Sequence, residues 1–362
     1  MILPNTYIGA LLIAVLSLVC WGSWANAYKL AGRQRFELFY WDYALGVMVA
    51  ATVAALTFGS LGFNLGGDVA GFAFLDDLMR SSKHSWAYGL AAGVVFNLGT
   101  ILLAAAMSVA GMSLAFPVGL GLAVVVAMLL DYILKPHANA VLLFSATAAI
   151  LAAVVLGVAA YRAISLQRAQ AAIKSGRTRS TRLTASWKGI VLAAIGGPLI
   201  ALCSPLVDLS RASDTGMGPY AAAFMFAAGV FGSTFVYNLF FMNLPVQGEP
   251  VELLEYFRQP KRSHLLPLLG GMVSAAGTVS LFVASSATTA AAGVGAEPIP
   301  LLGPATGHVV GLGAALLSAL WGLLVWKEYE GAPGRVRILS ALMLVLLVAG
   351  LALLLFEPLF TV

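Results

Sequence analysis

The chain has 362 residues, of which 60% are hydrophobic and only 10% charged, and its mean hydropathy is +0.94. A water-soluble domain carries roughly 25% charged residues, so this composition excludes one and points to a protein whose solvent is the bilayer. The net charge of +5 does not signal nucleic acid, because the basic residues fall between apolar runs and not along one polar face; their partner is an anionic leaflet.

Crossing a bilayer takes about 20 apolar residues. In chain order, apolar runs bounded by charges and turn residues predict ten spans, near 6–28, 39–60, 86–108, 112–132, 139–161, 188–207, 219–242, 264–286, 303–326 and 336–357. Turns are predicted at Gly66-Gly67-Asp68, Lys135-Pro136-His137, Asp214-Thr215-Gly216, Glu249-Pro250 and Gly331-Ala332-Pro333-Gly334. In the first run Ala25-Asn26-Ala27 mimics a signal-peptide cleavage site, but no basic segment precedes it and the run is too long. Cys20 and Cys203 both lie in apolar runs, which excludes a disulfide framework and reads as small buried side chains.

Charge sets the orientation. Of the 20 lysines and arginines, only four (Arg80, Lys83, Lys135 and Arg211) follow even-numbered spans, and the other sixteen follow odd-numbered ones. The positive-inside rule then puts the chain in the cytoplasmic (inner) membrane with both termini outside and the polar, basic loop 162–187 in the cytoplasm. That loop divides the chain into 1–161 and 188–362. The two parts resemble each other: Gly93-Val-Val-Phe-Asn-Leu-Gly-Thr100 shares four of eight residues with Gly271-Met-Val-Ser-Ala-Ala-Gly-Thr278, and 119–135 shares six of seventeen with 311–327. With an odd number of spans in each half, equivalent helices cross in opposite directions. The predicted fold class is therefore an all-α membrane protein, ten transmembrane helices in two inverted five-helix repeats, with a solute site near the midplane between the halves.

Three stretches stand out: Cys20-Trp-Gly-Ser-Trp-Ala-Asn26; Tyr40-Trp-Asp-Tyr43 followed by Thr57-Phe-Gly-Ser-Leu-Gly62; and 93–100 followed by Val109-Ala-Gly-Met-Ser-Leu114. They resemble the ureide permease family and its bacterial relatives, a branch of the drug/metabolite transporter superfamily. Trp321-Gly through Lys327-Glu328, then a Gly-Ala-Pro turn and a last apolar span, is similar to the approach to the tenth helix in that superfamily. The resemblance implies a ten-helix transporter, and in plants such proteins resemble carriers of allantoin, uracil and related heterocycles. One departure is informative. Plant members carry a phosphate-loop-like motif in the central loop, whereas Ala171-Ala-Ile-Lys-Ser-Gly-Arg-Thr-Arg-Ser180 lacks the Gly-x-x-x-x-Gly-Lys-Ser/Thr spacing. Nucleotide-driven transport is thus unsupported, and proton symporters of rhamnose and other sugars in the same superfamily stay open as an alternative, as does a metabolite exporter.

A polar side chain in hydrocarbon needs a partner or a watery cavity, so the polar residues inside the runs define the candidate site. They lie mostly on spans one to four and six to nine; spans five and ten are nearly featureless, as befits faces toward lipid or a second copy of the chain. Trp24 and Asn26, with Trp21, offer rings and an amide for a planar heterocycle or a sugar, or else Trp24 belongs to an interfacial belt. Asp42, between Trp41 and Tyr43, is the first proton-coupling candidate: Lys29 or Arg35 holds it ionised or a dry cavity lets it carry a proton, unless it is only a charge at a helix start. Asp208 follows Cys203-Ser204-Pro205 near the end of the sixth span, where Pro205 opens the helix or the helix simply ends; Asp131 ranks below it. Asn97 sits mid-span in the third run, for solute or for an interhelical bond. Ser233, Tyr237 and Asn238 belong to the densest polar patch, with Ser233 and Tyr237 one turn apart. His308 is a second proton-linked candidate, or a histidine bonded to a carbonyl. Phe116-Pro117 and Gly303-Pro304 begin spans four and nine in parallel, where proline is tolerated.

No His-Glu-x-x-His or Gly-x-Ser-x-Gly motif occurs, and the four histidines are scattered without metal spacing. The expectation is a secondary transporter and not an enzyme, with no cofactor, no metal and no nucleic acid. Its partners are the bilayer, a small solute, a coupling proton and, through the fifth or tenth helices, a second copy.

Overall fold

A computed structural model describes residues 1–32, 34–61, 73–134, 139–174, 185–288, 300–303 and 305–356. The turns expected at Gly66-Gly67-Asp68 and Lys135-Pro136-His137, the central loop from 175 to 184, and Pro304 lie outside the described residues. Those described are helical, apart from turns and one isolated antiparallel bridge between Thr288 and Pro300. The elements are α1 (Tyr7–Ser23), α2 (Asn26–Ala31), α3 (Phe36–Leu56), α4 (Phe74–Arg80), α5 (Lys83–Ala110), α6 (Met112–Leu134), α7 (Ala140–Lys174), α8 (Ala185–Ala201), α9 (Cys203–Arg211), α10 (Pro219–Asn243), α11 (Leu253–Phe257), α12 (Lys261–Ser285), α13 (Thr306–Leu320) and α14 (Gly334–Phe356). Counting α1–α2 and α8–α9 each as one, and running α13 on to Val325, ten helices among the described residues are long and apolar enough to cross a membrane. Each coincides with a predicted run to within a few residues, save at the end of the fifth.

That exception has a physical reason. The stretch from Arg162 to Lys174 was expected to be loop, yet α7 continues through it. Hydropathy locates where lipid ends, not where a helix ends, and Ala, Leu, Gln and Arg in this stretch are good helix formers. Pro117 corrects another expectation: it lies inside α6, beyond the first turn, and not at its start.

Both first helices of the two sequence halves are interrupted. At Trp24 and Ala25 the ladder tightens, with the Ala27 and Tyr28 N–H groups donating to the Trp24 and Ala25 carbonyls at 3.1 Å each, a bond to the third residue back where an α-helix uses the fourth. At Leu202 the break has a proline cause: Pro205 has no N–H to offer the Ala201 carbonyl, and its ring crowds that oxygen.

The chain forms two compact units. The first comprises Met1–Asn97, Leu202–Met242 and Glu252–Val310. In it α12 packs against α1, α2 and α3. Glycines bring helices together here: a methyl group on Gly46 would strike the Leu268 carbonyl and one on Gly271 the Tyr43 carbonyl, each helix presenting a glycine to the other's backbone. The same reciprocity joins α5 and α10, where Gly93 faces the Phe226 carbonyl and Gly229 the Leu90 carbonyl. Gly93 and Gly271 are the two residues that open the internal sequence match. The short helix α4 is fastened to the start of α10 by Asp77, whose Oδ2 accepts the Gly218 N–H at 2.9 Å.

The second unit comprises Leu98–Ala201, Asn243–Val251 and Gly311–Val362. Here α6 packs against α7 and α8, and α14 against α7; Ala160, Ile164, Ala332 and Val336 form a buried cluster. Spans five and ten therefore lie against each other, while Val141 and Val155 of α7 and Val345 of α14 stay more than half exposed, at 74%, 65% and 62%. Apolar side chains bare to this degree mark a surface for lipid or for another protein. After α13 the helix widens into a π turn, Trp321–Val325, and Lys327 takes the left-handed backbone at φ 47°. This turn presents Glu328 to the start of α6, where its Oε1 accepts the Met112 N–H at 2.9 Å and its Oε2 the Ser113 N–H at 2.7 Å. Arg168, on the unexpected extension of α7, donates to the Glu328 carbonyl at 2.5 Å.

Candidate functional site

The buried polar groups of the first unit are organised by α3. Its opening residues Phe36, Phe39, Tyr40 and Tyr43 are almost entirely buried, and so are two carboxylates among them, Glu37 at 1% and Asp42 at 4% exposure. Glu37 lies in the first turn, where the helix dipole favours a negative charge. Arg35 donates to it at 2.8 Å. The expected pairing of Arg35 with Asp42 is thus replaced by a nearer one, two residues along the chain. Asn238 on α10 donates its Nδ2 to the Glu37 carbonyl at 2.7 Å, and its Oδ1, fully buried, has no hydrogen-bond partner among the described residues.

Asp42 is held from two other elements. The Tyr256 hydroxyl on α11 donates to Oδ1 at 2.6 Å, and His264 Nδ1 on α12 lies 2.8 Å from Oδ2. The two rings meet edge to face, centroids 4.7 Å apart. Burial, reinforced by the adjoining carboxylate, pushes the Tyr256 phenol well above its ordinary range, so it stays protonated and donates. The His264 side chain is 29% exposed against 5% for that of Asp42. The pair therefore joins a dry carboxylate to an imidazole in reach of water. The four histidines are not all scattered: one meets the carboxylate predicted to titrate.

Asn97 on α5 is fully buried and its amide is fully employed. Oδ1 accepts the Tyr40 hydroxyl at 2.8 Å, while Nδ2 donates to Ser233 at 2.8 Å and Thr234 at 3.0 Å on α10. This is the interhelical bond weighed above. An aromatic and hydroxyl group lies beside it: Trp24 packs on Tyr43 at 4.8 Å between centroids, Tyr43 donates to Ser274 at 2.8 Å, and Trp21 Nε1 donates to Thr278 at 3.3 Å. Trp24 is 5% exposed, which makes it a packed side chain and not part of an interfacial belt.

Of the remaining predicted residues, Asn26 begins α2 half-buried and Tyr237 is half-buried on α10. Asp208 is exposed on α9 and His308 half-buried on α13, and neither oxygen of Asp42 is bonded to them. Sequence reasoning missed Glu37, Tyr40, Tyr256 and His264. The signal for the last two was their place at the same membrane boundary as Asp42, since spans two and eight both start beside odd-numbered loops. Among the described residues no group of three His, Cys, Asp or Glu side chains could hold a metal ion.

The family model for ureide permeases matches residues 39–188, the stretch that begins at the Phe39 turn of α3. Over 96% of both chains, this chain is 22% identical to ureide permease 2 and to ureide permease 1 of Arabidopsis thaliana; it is 24% identical to ureide permease 3 of the same plant over 67% of this chain and 74% of that one. A solved crystal structure aligns with 95% of this chain and 96% of its own at a TM-score of 0.53 and 17% identity, which shows a shared fold and no more. With ten apolar helices and relatives that are permeases, the chain is a multi-pass membrane transporter and not an enzyme.

Proposed function

We propose that the chain is a secondary active transporter that moves a ureide, nucleobase or similar small polar heterocycle across the cytoplasmic membrane, coupled to protons, by alternating access. The observation that carries this reading is Asp42, a carboxylate 4% exposed inside an apolar span and bonded to a histidine and a tyrosine. Ionisable groups at such positions are costly and mark ion or substrate pathways. In this reading Asp42 couples the proton, and Trp24, Asn26, Asn97, Ser233, Tyr237 and Asn238 contact the solute. Asn97 and Ser233 exchange their mutual bond for solute when it arrives, and the unpartnered Asn238 oxygen offers an acceptor. The inverted-repeat architecture of the drug/metabolite transporter superfamily is supported by the two reciprocal glycine contacts, α3 with α12 and α5 with α10, in which Gly271 and Gly93 are matched residues of the two halves. The orientation with both termini outside rests on the sixteen-to-four charge count.

The test is solute accumulation in proteoliposomes under an inward proton gradient, with uracil and allantoin as probes. Asp42→Asn is expected to lower gradient-driven accumulation at least tenfold relative to Asp208→Asn and His308→Gln, made as comparison variants. Intact accumulation in Asp42→Asn removes the coupling role. A thermal-shift screen against nucleobases, ureides and sugars reads the substrate class, because a ligand bound only to the folded state raises its apparent stability. Stabilisation by a deoxyhexose that also displaces the heterocycle turns the reading to a sugar symporter.

A further inference from the structure

Asp42 has no route of its own to water: its side chain is 5% exposed, and its two oxygens are bonded to Tyr256 and His264. With the Tyr256 hydroxyl on Oδ1 and His264 in the tautomer that carries its proton on Nδ1, each oxygen of the anion accepts a donor. On protonation one oxygen becomes a donor, and a neighbour must turn from donor to acceptor. Tyr256 is held in its protonated state by burial and by the carboxylate. An imidazole is built for the change, since either ring nitrogen carries the proton and the other accepts.

We infer that His264 is the proton relay between cytoplasmic water and Asp42, with Tyr256 as the positioning residue that fixes the carboxylate. The inference rests on the coupling role proposed for Asp42. The step balances as follows. His264 begins with its proton on Nδ1, donated to Asp42 Oδ2, and its Nε2 takes a proton from water to give the imidazolium. The Nδ1 proton then passes to Oδ2, leaving a neutral carboxylic acid that donates back to Nδ1 of a neutral imidazole carrying its proton on Nε2. One proton has entered and no charge is left on the ring. The reverse sequence releases it.

The surroundings leave this exchange to the pair. On α3 the other buried carboxylate, Glu37, is engaged by Arg35. From α10, Met242 and Phe235 meet Trp41 and Phe241 meets Phe36 of α3, none of the three titratable. The titratable groups facing Asp42 are Tyr256 from α11 and His264 from α12; α2, which packs on α12, carries Lys29, and α12 itself opens with Lys261 and Arg262. Lys261 and Arg262 stand at the start of the helix that carries the relay.

The experiment uses the full chain in lipid nanodiscs and follows the carbonyl stretch of protonated Asp42 by infrared spectroscopy after an acid jump, the band being assigned by its loss in Asp42→Asn. His264→Gln, which cannot relay a proton, is expected to slow the appearance of the band at least tenfold. His264→Ala is expected to be equally slow and to recover speed when imidazole is added to the buffer, which a purely structural role would not produce. Thermal unfolding checks that both variants are folded. A His264→Gln band that rises at the wild-type rate overturns the relay, as does the absence of imidazole rescue in folded His264→Ala or of any Asp42 band in the wild type. The coupling reading fails separately: if the band slows in His264→Gln yet Asp42→Asn still accumulates solute, the relay stands and the coupling role falls.

Discussion

Asp77, on the short helix α4, is 8% exposed and accepts the backbone N–H of Gly218, the residue before α10. Burial raises its carboxyl above the ordinary carboxylate range, against the opposing pull of the Gly218 bond, Arg80 and the amino terminus. A group whose folded-state pKa is raised stabilises the fold below its ordinary pKa and loses that contribution as pH rises through the folded value. Asp77→Asn keeps an acceptor for Gly218 and carries no charge. Its Tm is expected to exceed that of the wild type at pH 7, with the gap closing as pH falls toward about 4, the unperturbed Asp range; a pH series of thermal melts checks both sign and trend. Reading residues from sequence has a limit of the same physical kind. Asp42 was legible because a carboxylate within an apolar run is costly wherever it points. His264 and Tyr256 were not, because they lie 222 and 214 residues away and only helix packing brings them to it. Asn97 was legible as a buried amide, but whether it serves solute or structure depends on what stands opposite, and Tyr40, Ser233 and Thr234 do.

Helices of the first unit approach one another through glycines at which a side chain has no room. Where Gly271 meets the Tyr43 carbonyl and Gly93 the Phe226 carbonyl, the obstacle is backbone oxygen, which no rotamer change can move. Gly271→Ala and Gly93→Ala must therefore push helices apart, and each is expected to destabilise by about 1–3 kcal/mol, the range for overpacking. Gly307→Ala, where nothing lies within 4 Å, is the control expected to change Tm little. Differential scanning fluorimetry in detergent compares the three. At this scale the sequence was most informative, since a run of apolar residues the width of a bilayer has few structural alternatives. The break at Leu202 was also readable, from Pro205. The tightening at Trp24 was not, having no proline to announce it, and neither was the helical course of 162–174, where the residues leave lipid without leaving the helix.

The two sequence halves and the two compact units divide the molecule differently. A cut at the basic loop separates 1–161 from 188–362, whereas each compact unit draws helices from both sides of that loop. No local pattern reports such interleaving, because contact between distant spans is decided by packing and not by hydropathy. The second unit shows what that packing secures. Glu328 supplies acceptors to two N–H groups that α6 leaves unsatisfied at its start. Glu328→Ala is expected to cost on the order of 1–2 kcal/mol, the value of a charged N-terminal cap, and to speed hydrogen exchange at the Met112 and Ser113 amides above the rest of α6.

The cap also imposes an order on synthesis. Glu328 lies 216 residues after the N–H group it satisfies, and ribosomes add roughly 5–20 residues per second, so α6 waits on the order of 10–40 s for its acceptor. During that interval the beginning of the fourth span must keep its polar groups at the membrane surface, in water, or borrow another partner. A nascent chain halted before Glu328 has emerged should leave that end of α6 open to proteases and chaperones, and the finished chain should close it.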